Sequence, residues 1–207
     1  ARSGEKEAKN SLFILDMLLE HCSNGNAARL LKVDEEYNKF KRSLQLLTEK
    51  PVLYIANISE AETMEGNNGE YVRSLEEYAL KENNVVISLC SSIEQEIALL
   101  KEEEKPIFLQ EYGLSEPGLN KVIRSSFKLL SLQNFFTCGE KEVKSWTISK
   151  GSTAPQAAGN IHSDFERGFI KADTFHYSEL IENGSEKALK ELGLIRQEGK
   201  DYIVKDG

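Results

Sequence analysis

Long hydrophobic runs are missing from this 207-residue sequence. None approaches the roughly 18 residues that a membrane-spanning helix needs, which excludes an integral helical membrane protein. Cysteine is scarce: Cys22, Cys90 and Cys138 are odd in number, widely spaced and in no Cys-x-x-Cys pair. That pattern argues against a disulfide framework or a zinc site and fits a reducing cytoplasm. Each of the three sits in an apolar run, where a free cysteine packs as a small hydrophobe. Basic residues are in the minority, 26 Lys+Arg against 34 Asp+Glu, giving a formal charge of −8. A generic DNA-coating protein would be strongly basic, so no sequence-specific DNA partner is expected; a local basic patch that docks on RNA remains compatible. The chain opens Ala1-Arg2-Ser3-Gly4, without Met or a signal-peptide pattern. What is present is enough apolar material, 40% hydrophobic and 8% aromatic, for one or two packed domains rather than a disordered chain.

Residues 1 to 48 read as helix. Leu12, Leu15, Leu19 and Cys22 recur at spacings of three and four, the seam of an amphipathic or coiled-coil helix. Turn formers Ser23-Asn24-Gly25-Asn26 interrupt it, and Val33, Tyr37, Phe40, Leu44 and Leu47 mark a second helix. Two helices and a short turn make a helical hairpin, with 8 basic and 7 acidic residues.

From residue 49 to 131 the period changes. Pro51-Val52-Leu53-Tyr54-Ile55-Ala56 is a continuous apolar run, as expected of a strand buried on both faces. A loop with Gly66-Asn67-Asn68-Gly69 precedes a helix over Glu70 to Lys81, with Tyr71, Leu75, Tyr78 and Ala79 on one side. Val85 to Cys90 is a second buried strand. Ser91 and Glu94 have capping-box spacing before a helix that turns Ile93, Ile97 and Leu100 inward. A last helix begins near Pro117 and carries Leu119, Val122, Ile123, Phe127 and Leu130. Strand, helix, strand, helix predicts a parallel α/β sheet. With 8 basic and 15 acidic residues, this segment holds most of the acidity.

Residues 132 to 207 read as a compact α+β module of short strands with little helix between them. The strands are Phe135 to Cys138, Val143 to Ile148 and a closing Ile203-Val204. Ser163-Asp164-Phe165-Glu166 has the spacing of a capping box. The final Asp206-Gly207 is a hairpin signal with no returning strand, which reads as an internal fragment of something longer. No Pro/Gly-rich linker marks the boundary near 132.

Asn57-Ile58-Ser59-Glu60 directly follows the first strand, where an open α/β sheet binds its ligand. An Asn amide donates and accepts at once, which suits a purine edge, and a carboxylate three residues on accepts from an amino group. Asn57 equally suits a turn. Ser88 and Leu89 end the neighbouring strand and reach the same place.

Further on stand Asn134-Phe135-Phe136-Thr137-Cys138-Gly139-Glu140, Ser145-Trp146-Thr147-Ile148, the run from Ala154 through Gln156-Ala157-Ala158-Gly159-Asn160-Ile161-His162-Ser163-Asp164-Phe165-Glu166-Arg167-Gly168-Phe169 to Ile170, and Glu198-Gly199-Lys200-Asp201-Tyr202-Ile203-Val204. Together they resemble the hallmark of the Obg-like ATPase (YchF) family. Pro51 to Glu60 is then similar to that family's strand and base-recognition motif, and residues 1–48 to its helical insertion. The resemblance implies a multi-domain α/β protein: a helical (coiled-coil) hairpin over 1–48, the C-terminal half of a P-loop NTPase parallel sheet over 49–131, and a TGS-like β-grasp domain over 132–207.

It also implies an ATPase that hydrolyses ATP with Mg²⁺ and associates with ribosomes in the cytoplasm. Guanine-binding relatives carry Asp where Glu60 stands, so adenine is the implied base, contacted by Asn57, Ile58, Glu60, Ser88 and Leu89. No Gly-x-x-x-x-Gly-Lys-Ser/Thr occurs in the 207 residues, so the phosphate cradle and the Mg²⁺ hydroxyl are missing. The chain alone is therefore expected to lack ATPase activity and to bind nucleotide weakly at most.

Lys141, Lys144, Lys150, Arg167 and Lys171 surround the specific motif; of these Lys150, Arg167 and Lys171 stand out as contacts for ribosomal RNA phosphates. Trp146, alternating with Lys144 and Ile148, reads as core rather than as a stacking platform. Phe135 and Phe136 point to opposite faces of their strand. His162 reads as packing or surface recognition, and His21 and His176 as structural or solvated. A non-catalytic ribosome- or RNA-binding TGS-like module is the alternative function. An Obg-type GTPase is a weaker one, disfavoured by Glu60 and by the C-terminal motif.

Overall fold

The computed structural model describes residues 2–66, 69–139 and 142–207. Asn67, Asn68, Glu140 and Lys141 lie outside the described residues, so the Gly66–Gly69 loop and part of the motif at 134–140 are seen only at their edges. The chain forms two compact units, residues 1–129 and 130–207.

The first unit begins with α1 (Arg2–Ser23) and α2 (Glu35–Ser43), separated by Gly25 at φ 79° and a 3-10 turn over Ala28–Leu30. The face that α1 buries is not the predicted one. Ile14 and Leu18, one helical turn apart, are 0% and 4% exposed, whereas Leu12, Leu15, Leu19 and Cys22 are exposed. Tyr37, Phe40 and Leu44 close over Ile14 and Leu18 together with Leu31, Val33 and Leu46. Both stripes are apolar, so spacing alone could not say which one α2 would cover. Leu47, assigned from the sequence to the second helix, is exposed in a separate 3-10 turn. Beneath the turn Lys41 is buried, its ammonium donating to the Leu31 carbonyl at 2.8 Å and pairing with Glu49 at 3.0 Å.

Next come β1 (Leu53–Asn57), α3 (Glu60–Glu65), α4 (Glu70–Lys81), β2 (Val85–Leu89), α5 (Ser91–Leu99), α6 (Lys105–Glu111) and α7 (Gly118–Leu129). The two strands pair in parallel, Leu53 opposite Val85 through Asn57 opposite Leu89, with α4 and α7 packed against them. The expected burial on both faces is not found: Ile55 and Val85 are about half exposed, because the described sheet has two strands and too few covering elements. In α4 the predicted face holds in part: Ala79 is buried and Leu75 half-buried, while Tyr71 and Tyr78 face solvent and Val72 is buried instead. Helices α3 and α6 have no counterpart in the sequence reading. The α3 start could have been found, since Ser59 and Glu62 form a full capping box.

The second unit holds β3 (Leu132–Cys138), β4 (Val143–Ser149), α8 (Ala154–Ile161), α9 (Ser163–Arg167), β5 (Ala172–Thr174), α10 (Tyr177–Asn183), α11 (Glu186–Glu191) and β6 (Arg196–Glu198). It is richer in helix than predicted. β3 pairs antiparallel with β4, and β5 with β6. Ile203 makes an isolated bridge to Thr153 instead of belonging to a closing strand. At the last residues Asp206 accepts from the Asn134 amide at 3.0 Å, and the Gly207 amide donates to the Asn134 carbonyl at 3.1 Å. Trp146 is half-buried on the face it shares with buried Ile148, its indole donating to Thr137 at 2.9 Å and Lys144 lying 4.0 Å above its ring. Phe135 is half-buried and Phe136 exposed, as alternation along a strand requires.

Candidate functional site

The carboxyl ends of β1 and β2 lie side by side, so Asn57 and Leu89 are register partners. The chain leaves β1 with the Ile58 amide donating to the Leu89 carbonyl at 2.9 Å, and the Ile58 side chain packs against Cys90, Ile93, Ile97 and Leu109. That apolar anchor fixes where the polar residues on either side of it emerge. The Asn57 side-chain carbonyl accepts from the backbone amide of Ser91, the first residue of α5, at 3.0 Å. Glu60, the first residue of α3, accepts at Oε1 from the Ser92 hydroxyl at 2.8 Å. Ser92 in turn lies 3.1 Å from the Cys90 thiol. The pairing of the strands thus brings Asn57 and Glu60 together with the start of α5, over more than thirty residues of sequence.

Of the residues expected here, Asn57 and Glu60 are exposed and Ile58, Ser88 and Leu89 half-buried. Ser88 and Leu89 alternate along β2, so their side chains leave opposite faces. A Cβ on Gly118 would meet the Leu89 Cβ at 2.9 Å, which places the Leu89 side chain at the start of α7. The predicted capping box at Ser91 and Glu94 is absent. Cys90 stands at the cap position of α5, and Glu94 instead accepts from the amides of Gly118 and Leu119 at 2.6 and 3.0 Å, capping α7. The carboxylate so placed also complements the positive end of the α7 dipole. Ser92, Cys90 and Tyr112 were not foreseen. Burial raises the Tyr112 phenol above its ordinary pKa, and the nearby Glu60 carboxylate adds to the effect. No spacing rule links Ser92 to Glu60, because their contact depends on strand pairing.

The arrangement is an open ledge. Two surface concavities, of about 480 and 390 Å³, have neither Asn57 nor Glu60 in their lining. Among the described residues no group of three or more His, Cys, Asp or Glu side chains is placed to hold a metal ion. No described helix is long and apolar enough to cross a membrane.

In the second unit Arg167 and Lys171 have separate local partners. Arg167 lies 3.6 Å from Asp164 within α9, and Lys171 donates to Gln197 at 2.9 Å. Lys150 is exposed at the turn after β4, its backbone amide bonded to the Ser131 carbonyl. Lys141 lies outside the described residues. The start of α9 is capped by His162, whose Nδ1 accepts from the Asp164 amide at 3.2 Å, rather than by Ser163. His176 caps α10 in a reciprocal pair with Glu179, and His21 contacts the Ala27 carbonyl at 3.0 Å.

A family model described as YchF-GTPase_C, protein of unknown function (DUF933), matches residues 132–207. The ribosome-binding ATPase YchF of Escherichia coli O157:H7 is 48% identical over the whole of this chain. The chain belongs to the YchF family. The relative of the same name from Bacillus subtilis (strain 168) is 46% identical, again over the whole chain. Among solved structures, the YchF GTPase of Schizosaccharomyces pombe superposes with a TM-score of 0.83 at 31% identity, covering 99% of this chain and 54% of that one. The chain spans 56% and 57% of the length of the two bacterial relatives. The mixed α/β architecture with small sheets is that of a YchF protein.

Proposed function

We infer that these 207 residues carry the base-reading part of an adenine-nucleotide site in a ribosome-associated ATPase. Residues 1–48 form its helical insertion, 49–131 the C-terminal part of the P-loop domain, and 132–207 a TGS-like β-grasp domain. The observation that carries this reading is the tethered Asn57–Glu60 pair at the carboxyl ends of two parallel strands, where open α/β sheets place ligands. With its oxygen held by the Ser91 amide, Asn57 offers a ligand its Nδ2 donor, and purine N7 is an acceptor. Glu60 offers an acceptor, which the adenine amino group satisfies and the guanine carbonyl does not. ATP bound with Mg²⁺ supplies the phosphoanhydride whose cleavage to ADP and phosphate is the reaction. This chain's own residues hold and orient the base, and the ribosome is the partner. Phosphoryl transfer depends on positioning and on charge stabilisation at the phosphates, and the phosphate-cradle sequence is not among these residues, so the chain alone is predicted to show no turnover.

Titration of the isotopically labelled chain with adenosine tests the site. Shifts confined to Asn57, Ile58, Glu60 and the start of α5, and lost in Asn57→Ala, are expected. An unperturbed spectrum at saturating adenosine would refute the reading. For the ribosome, reversing the charges of Lys150 and Arg167 is expected to weaken co-sedimentation; undiminished co-sedimentation removes those two residues from the interface.

A further inference from the structure

We propose that Ser92 is the positioning residue that makes this site select a purine bearing an amino group at C6, by holding Glu60 in its base-reading orientation. The inference rests on the purine-site reading above and goes one residue beyond it. An asparagine free at both ends reads adenine unaided, its amide donating to N7 and its oxygen accepting from the amino group. Here the Asn57 oxygen already accepts from the Ser91 amide at 3.0 Å, so Asn57 recognises N7, which adenine, hypoxanthine and guanine share. Discrimination at C6 then falls to the next acceptor, Glu60. One of its oxygens is tied to the Ser92 hydroxyl at 2.8 Å. An ionised carboxylate only accepts, so the single hydroxyl hydrogen of Ser92 is committed to it. The 3.1 Å contact between Ser92 and Cys90 is therefore a thiol donating to the hydroxyl oxygen, which fixes the Ser92 rotor from the buried side. The chain thiol, hydroxyl, carboxylate runs from the core to the ledge and leaves Oε2 of Glu60 as an oriented acceptor. A C6 amino group satisfies that acceptor; a C6 carbonyl sets oxygen against oxygen. Ser92 touches neither base nor phosphate in this scheme and acts through Glu60 alone.

The test compares adenosine with inosine, uncharged nucleosides that differ only at C6 and its neighbouring ring proton, by chemical-shift titration of the full 207-residue chain. The wild type is expected to prefer adenosine. Ser92→Ala, an exposed position in the first turn of α5 where alanine is well tolerated, is expected to reduce the preference about threefold to tenfold, the worth of one oriented hydrogen bond. Ser92→Thr keeps the hydroxyl and restores the preference. An unchanged adenosine-to-inosine ratio in Ser92→Ala, even with both affinities lowered, assigns Ser92 a structural role and overturns the inference while the purine site stands. Wild-type protein that binds neither nucleoside overturns the purine site itself.

Discussion

Gly118 is the position where a single atom decides whether α7 can start where it does. A Cβ there would lie 2.9 Å from both Glu94 Oε1 and the Leu89 Cβ, and the same Glu94 oxygen accepts from the Gly118 amide at 2.6 Å. Replacing glycine by alanine ordinarily favours a helix slightly, but overpacking at so tight a contact costs more. Gly118→Ala is predicted to destabilise the chain by about 1–3 kcal/mol, read as a lower midpoint in urea. Sequence inspection sees Glu94 three residues after Ser91 and infers a local cap. The structure spends the carboxylate on a helix two dozen residues away, because Cys90 occupies the cap position and Ser91 points its amide at Asn57. That Asn57 and Glu60 stand at the carboxyl edge of the sheet was legible, because they directly follow an apolar run that reads as a strand. Ser92 was not, since its only cue is a contact with Glu60 across 32 residues.

At the level of elements, β1 to β4 and the longer helices were legible, whereas the three-residue strands β5 and β6 and the short helices were not. β1, β2, α4, α5 and α7 have enough residues for their apolar pattern to show. Helices such as α3, α6, α10 and α11 have only six or seven residues each, too few for a period of 3.6 to register. Where periodicity did show, it fixed the element and left the face open. In α1 this ambiguity has a measurable form. Ile14→Ala, at a fully buried site, is expected to cost about 2–5 kcal/mol, whereas Leu12→Ala, at 59% exposure, is expected to change stability by about 0.5 kcal/mol or less. Equal losses at the two positions in chemical denaturation would contradict the packing described for α2. A second element-level feature is Glu82, just past α4. Its carboxylate accepts from Arg29 at 2.7 Å, Asn84 at 2.8 Å, and Tyr54 and Tyr78 at 3.0 Å. The Arg29 hydrogen bond first, then those of the tyrosines, hold its pKa below the ordinary carboxylate value against the cost of desolvation. A depressed native pKa stabilises the fold above the unfolded-state pKa, and the benefit is lost as pH falls through the ordinary carboxylate range toward the native value. Urea midpoints should therefore drop on acidification in the wild type and drop less in Glu82→Gln, which starts from a lower plateau at neutral pH.

Across the whole molecule the dominant quantity is the charge of −8, most of it in residues 49–131, the segment that holds the proposed base site. A nucleoside triphosphate approaching these residues meets repulsion that a nucleoside does not, and salt screens it over roughly 10 Å at 0.1 M. Adenosine is thus predicted to bind more tightly than ATP at low ionic strength, with the gap narrowing as salt rises; a gap that widens with salt would contradict this. The same chain carries its stability unevenly. Glu82 is one acceptor shared by four donors from α4, β1 and the segments after α1 and α4. Deleting any one donor leaves the carboxylate three others to lean on, whereas deleting the carboxylate removes the acceptor that all four share. Substitutions around Glu82 are therefore tolerated singly and compound steeply in pairs, while at Glu82 itself the first substitution already exacts the whole loss.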